Sequence, residues 1–174
     1  WIVLSAEPGA QLALGLTRRM EARQIRAAAL DGSIESLLHW RPAKAGDLIY
    51  LPAGTIHALG KGIQVLEIQQ NADVTYRFYD YGSSRELHLD AALEVAQLAP
   101  YERVDRRRPI SDGRSVLCEG KALTIEEWTM SGDMTLSPRN GRAWLIPIEG
   151  TAAIDGIVAG VGSVILVNDA AKVS

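Results

Sequence analysis

Gly46-Asp-Leu-Ile-Tyr-Leu-Pro52-Ala-Gly54-Thr-Ile-His57 sets an apolar run, a turn and one imidazole within a dozen consecutive residues. Residues 48–51 are bounded by Gly46 on one side and Pro52-Ala-Gly54 on the other, the pattern of a buried strand running into a turn. Proline fixes one backbone angle and glycine permits a positive one, so the turn is stiff. It delivers His57 in one direction at the start of the next strand. A fixed imidazole suits a metal ion, whereas a lone histidine among apolar residues is more often a packed core residue.

Around this stretch the chain has 174 residues, 47% hydrophobic and 22% charged, enough to bury a good core as one domain or two small ones. Its formal charge of -3 is spread along the sequence, and the dense basic run, Arg106-Arg107-Arg108, reads as a solvated linker rather than a nucleic-acid patch. No apolar stretch is long enough to span a membrane, and no secretory signal is visible. The one cysteine, Cys118, cannot form an internal disulfide, which fits a reducing cytoplasm. Trp1-Ile-Val-Leu reads as the middle of a strand, so a missing N-terminal part is expected.

Thr17 is positioned to cap a helix from 18 to 30, ended by Asp31-Gly32, and Ser33 to cap a shorter one reaching His39. Residues 17–41 thus read as a helical insertion between strands. Residues 63–69 read as a strand in which Ile63, Val65, Glu67 and Gln69 share one face. A carboxylate buried there costs several kcal/mol, on the order of the desolvation penalty, unless paired or bound to a cation; at a strand edge it reaches water instead. A second β-rich run, 74–79, contains Arg77, which either snorkels out or pairs with Asp73 or Glu67. His88 precedes a helix over 90–98 that Asp90 can cap, and reads as a packing residue.

The spacing of Gly46, Pro52, Gly54 and His57 resembles the second signature of the cupin superfamily of small β-barrels. The longer stretch 46–93, GDLIYLPAGTIHALGKGIQVLEIQQNADVTYRFYDYGSSRELHLDAAL, is similar to the zinc-dependent, cupin-type mannose-6-phosphate isomerases in their short bacterial form. A looser likeness reaches back to Trp1 through AEPGA and GSIESLLHW and fades after Ala96.

The resemblance implies a mainly β fold: a cupin double-stranded β-helix, or jelly roll, with a small helical insertion and a second, smaller β unit. Residues 1–98 would form the catalytic core, 99–115 a linker, and 116–174 a degenerate cupin-like unit with no metal site. In that last unit Gly160-Val-Gly-Ser-Val-Ile-Leu-Val-Asn168 echoes the strand after Gly46, with no histidine following.

The implied chemistry is a metal-dependent aldose–ketose interconversion of a phosphosugar through a cis-enediol. His57 would be one zinc ligand, the family's other ligands falling before Trp1. Arg77 would be catalytic, holding the enediolate in the barrel mouth with its rigid, permanently charged fork. Glu67 and Asp73 would line the sugar site, Glu67 being a candidate base. A cupin that binds a sugar phosphate without turning it over, and a purely structural cupin, are the competing readings.

Overall fold

Every residue except 73, 103–106, 121–122, 131 and 139–140 is described by the computed structural model of the chain. Backbone contacts divide the chain into two units, Trp1–Arg106 with Gly120–Leu123, and Arg107–Glu119 with Thr124–Ser174. The chain as a whole is mainly β, its helices fall in the first unit, and among the described residues every ladder is antiparallel.

In the first unit, β1 (Ile2–Ala6) pairs with β5 (Ile63–Leu66), with Val3 opposite Val65 and Ile2 opposite Leu66. Its other edge is bonded by residues 46–49: the Gly46 N–H donates to the Val3 carbonyl at 2.8 Å and the Ile49 N–H to the Trp1 carbonyl at 2.9 Å. A second sheet places β2 (Gln11–Leu16) between β3 (Leu38–Pro42) and β4 (His57–Leu59). The run Leu-Ala-Leu-Gly-Leu of β2 is buried throughout, as a central strand covered on both faces requires. Helix α1 (Ala22–Asp31) turns Ile25, Ala28 and Ala29 onto that core beside Leu16, Ile34 and Ile56. Burying a side chain such as Ile25 contributes about 1.5–3 kcal/mol.

Several expected boundaries move. Helix α1 starts after Glu21, not Thr17: Glu21 and Gln24 form a reciprocal capping box, and Gly32 closes the helix in the left-handed region. The second helix, α2 (Ile34–Leu37), is one turn long, and Ser33 stands at its N-cap without a side-chain bond to the helix backbone. His39 is an exposed residue of β3, because the chain pairs Leu38 with Leu16 and Trp40 with Ala13 instead of continuing as helix. His88, not Asp90, is the N-cap of α3 (Leu89–Val95).

Residues 48–51 make a single bridge, Leu48 to Ile2, rather than a ladder. β5 stops at Leu66, opposite Ile2, so Glu67 has no strand residue facing it and is exposed. The run 74–79 is irregular because the Arg77 backbone is bonded to His88 instead of to a neighbouring strand.

The second unit begins with β6 (Arg108–Ser111), β7 (Arg114–Glu119) and β8 (Thr124–Trp128) in one sheet. Residues 108–115, expected as linker, are therefore a strand hairpin, with Arg107 leading into it. Their arginines meet carboxylates across the sheet: Arg107 with Glu127 at 2.9 Å, Arg108 with Glu119 at 3.0 Å, and Arg114 with Glu126 at 2.7 Å. Beyond them β12 (Ile157–Gly160), β11 (Thr151–Ile154), β14 (Ala171–Val173) and β9 (Met134–Leu136) lie side by side in that order, while β10 (Ala143–Leu145) pairs with β13 (Ile165–Val167). Leu136, Ile154, Val167 and Val173 form the core of this unit.

Candidate functional site

The turn before His57 is held from both sides. The Thr55 N–H donates to the Pro52 carbonyl at 3.1 Å, and the Gln97 N–H to the Gly54 carbonyl at 2.8 Å. Gly54 has φ 83°, and a Cβ there would overlap the Val95 carbonyl oxygen, so a side chain is excluded by conformation and by space. From this turn His57 opens β4 opposite Leu14, with its side chain exposed.

The His57 ring is oriented by a backbone carbonyl. Nδ1 lies 2.8 Å from the Thr55 carbonyl oxygen. A carbonyl only accepts, so Nδ1 carries the proton, and a neutral ring keeps its lone pair on Nε2. An Nδ1–H donated to a carbonyl with Nε2 free is the arrangement of a metal-ligating histidine. The Trp1 ring stands edge-on to the imidazole, centroids 5.1 Å apart and planes at 81°, and limits its rotation. The Thr55 hydroxyl is buried and has no hydrogen-bond partner among the described residues.

Among the described residues no three His, Cys, Asp or Glu side chains gather as a metal site. Zinc draws on three or four protein ligands. The residues present thus fit one zinc ligand and fall short of a complete site.

Glu67 follows the pair Ile2–Leu66, at the same end of β1 as Trp1, whose ring meets His57. Topology therefore gathers His57, Trp1 and Glu67 at one end of β1. The Glu67 carboxylate reaches water, so it carries no burial penalty. Arg77 is half-buried, and its guanidinium forms no ion pair among the described residues. No hydrogen bond or ring contact among the described residues joins Arg77 to His57 or Glu67. Asp73 lies outside the described residues.

Sequence reasoning missed what surrounds Arg77. The His88 N–H donates to the Arg77 carbonyl at 2.9 Å, and the Arg77 N–H donates to His88 Nδ1 at 3.3 Å. Between them, buried Asp80 accepts from Arg85 Nε at 2.6 Å and from its terminal nitrogen. The hydrogen bond to Asp80, and then its charge, raise the Arg85 pKa above the ordinary value. Burial, followed by the charge of Glu35, raises the pKa of Tyr81 beside it. Only the Asp80–Arg85 spacing of opposite charges left a trace in the sequence.

No family model matches the chain. It is 36% identical over 146 residues to the mannose-6-phosphate isomerase of Streptococcus mutans, covering 78% of this chain and 45% of that protein. It is 32% identical over 159 residues to a mannose-6-phosphate isomerase of Bacillus subtilis, covering 86% and 50%. The crystal structure of the mannose 6-phosphate isomerase from Bacillus subtilis aligns with 99% of this chain and 56% of that one, with TM-score 0.76 and 27% identity. The chain spans about half the length of the curated relatives it matches. Over most of its own length, it is a homologue of the mannose-6-phosphate isomerases.

Proposed function

We propose that the protein interconverts mannose 6-phosphate and fructose 6-phosphate, a metal-dependent aldose–ketose isomerisation through a cis-enediol, on a cupin jelly-roll framework. The observation that carries this reading is the homology: an alignment over 86% of the chain leaves too few residues outside it to miss 57–88. The second unit would be the degenerate cupin-like half, and the location would be the cytoplasm.

In this reading Arg77 stabilises the oxyanion that develops when the proton leaves the sugar carbon. Its guanidinium holds its charge at any working pH and offers donors in a fixed fork, so it binds the anion without exchanging protons. Glu67 is the candidate base for moving that proton between C1 and C2, and Asp73 a sugar ligand. Zinc is the implied cation, and His57 would supply one ligand through Nε2, with the remaining donors outside the described residues. The short donor set also favours a second reading, a sugar-phosphate binder without turnover.

Conversion of mannose 6-phosphate, with and without zinc, on this chain and on a version extended at its N-terminus, separates the two. Turnover by the extended protein that a chelator stops supports the isomerase. Binding without turnover supports the binder.

A further inference from the structure

Resting on the assignment of Arg77 to the developing oxyanion, we propose that His88 is the positioning residue that sets where Arg77 stands. In an antiparallel ladder a bonded pair exchanges two N–H to carbonyl bonds. Arg77 and His88 make such an exchange, but with one substitution. The His88 N–H reaches the Arg77 carbonyl at 2.9 Å, while the Arg77 N–H is taken by the His88 ring at 3.3 Å instead of by a carbonyl.

The ring is available for this because His88 is the N-cap of α3 yet makes no side-chain cap bond. Its carbonyl is already committed to the helix, accepting from the Ala92 N–H at 2.8 Å, and Ala92 is buried. Tyr76 flanks the ring, centroids 5.8 Å apart. One residue thus ties the backbone of Arg77 to the first turn of a packed helix.

The intervening loop is closed separately. The Ser83 N–H donates to the Asp80 carbonyl at 2.8 Å around Tyr81 (φ 52°) and Gly82 (φ 75°), and Arg85 clasps Asp80. Arg77 therefore leaves a loop held at its base by His88 and at its tip by Asp80. An amide N–H is the donor to Nδ1, so Nδ1 carries no proton and the His88 ring is the Nε2–H tautomer. That is the opposite of His57, whose Nδ1 donates.

Ring nitrogen-15 spectra of the 174-residue chain, with its three histidines neutral and the His88 signals assigned, test the geometry without a variant. His88 is expected as the Nε2–H tautomer, and an Nδ1–H tautomer overturns the proposal. In the N-terminally extended protein, His88→Phe keeps a ring beside Tyr76 but no acceptor. Its kcat is expected to fall about ten- to a hundredfold, with KM for mannose 6-phosphate within about twofold. His88→Asn, whose amide oxygen accepts from nearly the same place, is expected to recover most of the loss. Equal losses in both variants, or an unchanged kcat in His88→Phe while Arg77→Met is inactive, overturn the positioning role. An unchanged kcat in Arg77→Met overturns instead the reading on which it rests. Should His88→Phe fail to fold, the tautomer and His88→Asn decide: an Nδ1–H ring or a His88→Asn as impaired as Arg77→Met overturns it.

Discussion

The turn at 44–47 in the first unit and the turn at 160–163 in the second are built alike and lead to different ends. In each, the fourth N–H donates to the first carbonyl, Asp47 to Lys44 at 3.1 Å and Ser163 to Gly160 at 3.0 Å. In each, the third residue is a glycine with positive φ, 85° at Gly46 and 89° at Gly162, with open space around it. An apolar run follows both. After Gly162 it becomes β13, buries Val167 and continues into the buried Ala171 and Val173. After Gly46 it buries Ile49, then leaves through Pro52 and a second, crowded glycine to an exposed imidazole. A shared apolar frame serves packing in one unit and, with Gly54 and His57 added, presents an exposed imidazole in the other.

The largest effect expected is on metal. In the extended protein, His57→Ala should reduce zinc to background after dialysis, because a zinc site with a ligand removed loses its coordination geometry. Asn168→Ala, at the corresponding exit in the second unit, should leave zinc unchanged. Elemental analysis of both variants checks the pair, and full zinc in His57→Ala would sink the metal assignment.

Stability separates the glycines next. Gly54→Ala combines a left-handed residue with an overlap on the Val95 carbonyl, and a loss of about 3 kcal/mol is expected in urea unfolding. Gly46→Ala and Gly162→Ala meet only the conformational cost, about 1–2 kcal/mol. Equal losses at 46 and 54 would mean that the backbone yields and that Gly54 is not crowded in solution.

The Gly-Pro turn and His57 were legible because proline and glycine act locally, and the same holds for the end of α1 at Gly32. What was misread depends on partners far away in sequence. Arg107, Arg108 and Arg114 look like a solvated linker until Glu127, Glu119 and Glu126 come into register across β6, β7 and β8. Residues 74–79 have strand composition, yet the partner of Arg77 is His88, and a propensity cannot name a side chain eleven positions on. Glu67 reads from the sequence either as a buried carboxylate on a strand face or as one at a strand edge that reaches water, and only the end of the β1 register decides for water.

Ion pairs extend the contrast at smaller scale. Arg85→Ala leaves buried Asp80 without its clasp, and about 1–3 kcal/mol is expected from an orphaned buried carboxylate. Arg108→Ala, in an exposed pair of the second unit, should cost about 0.2–1 kcal/mol. Chemical unfolding of the two variants measures the difference, and similar losses would show that the Asp80 carboxylate is solvated.

The smallest effects lie at opposite ends of the pH scale. The Ser33 hydroxyl, then its N–H, hold the exposed Asp31 carboxyl below the ordinary carboxylate pKa. A lowered acid stabilises above its unfolded pKa, and the gain disappears as pH falls through the folded value. In the second unit, the hydrogen bond that Lys172 donates to Asp133, and then the charge of Asp133, raise exposed Lys172 above the ordinary lysine value. A raised base stabilises below its unfolded pKa, and the gain disappears as pH rises through the folded one. Asp31→Asn should therefore flatten the acid limb of the stability profile and leave the alkaline limb alone, and Lys172→Met should do the reverse. Melting temperatures across both limbs check the sign. An Asp31→Asn profile that still falls as steeply in acid would assign that limb to other carboxylates and remove Asp31 from the closure of α1.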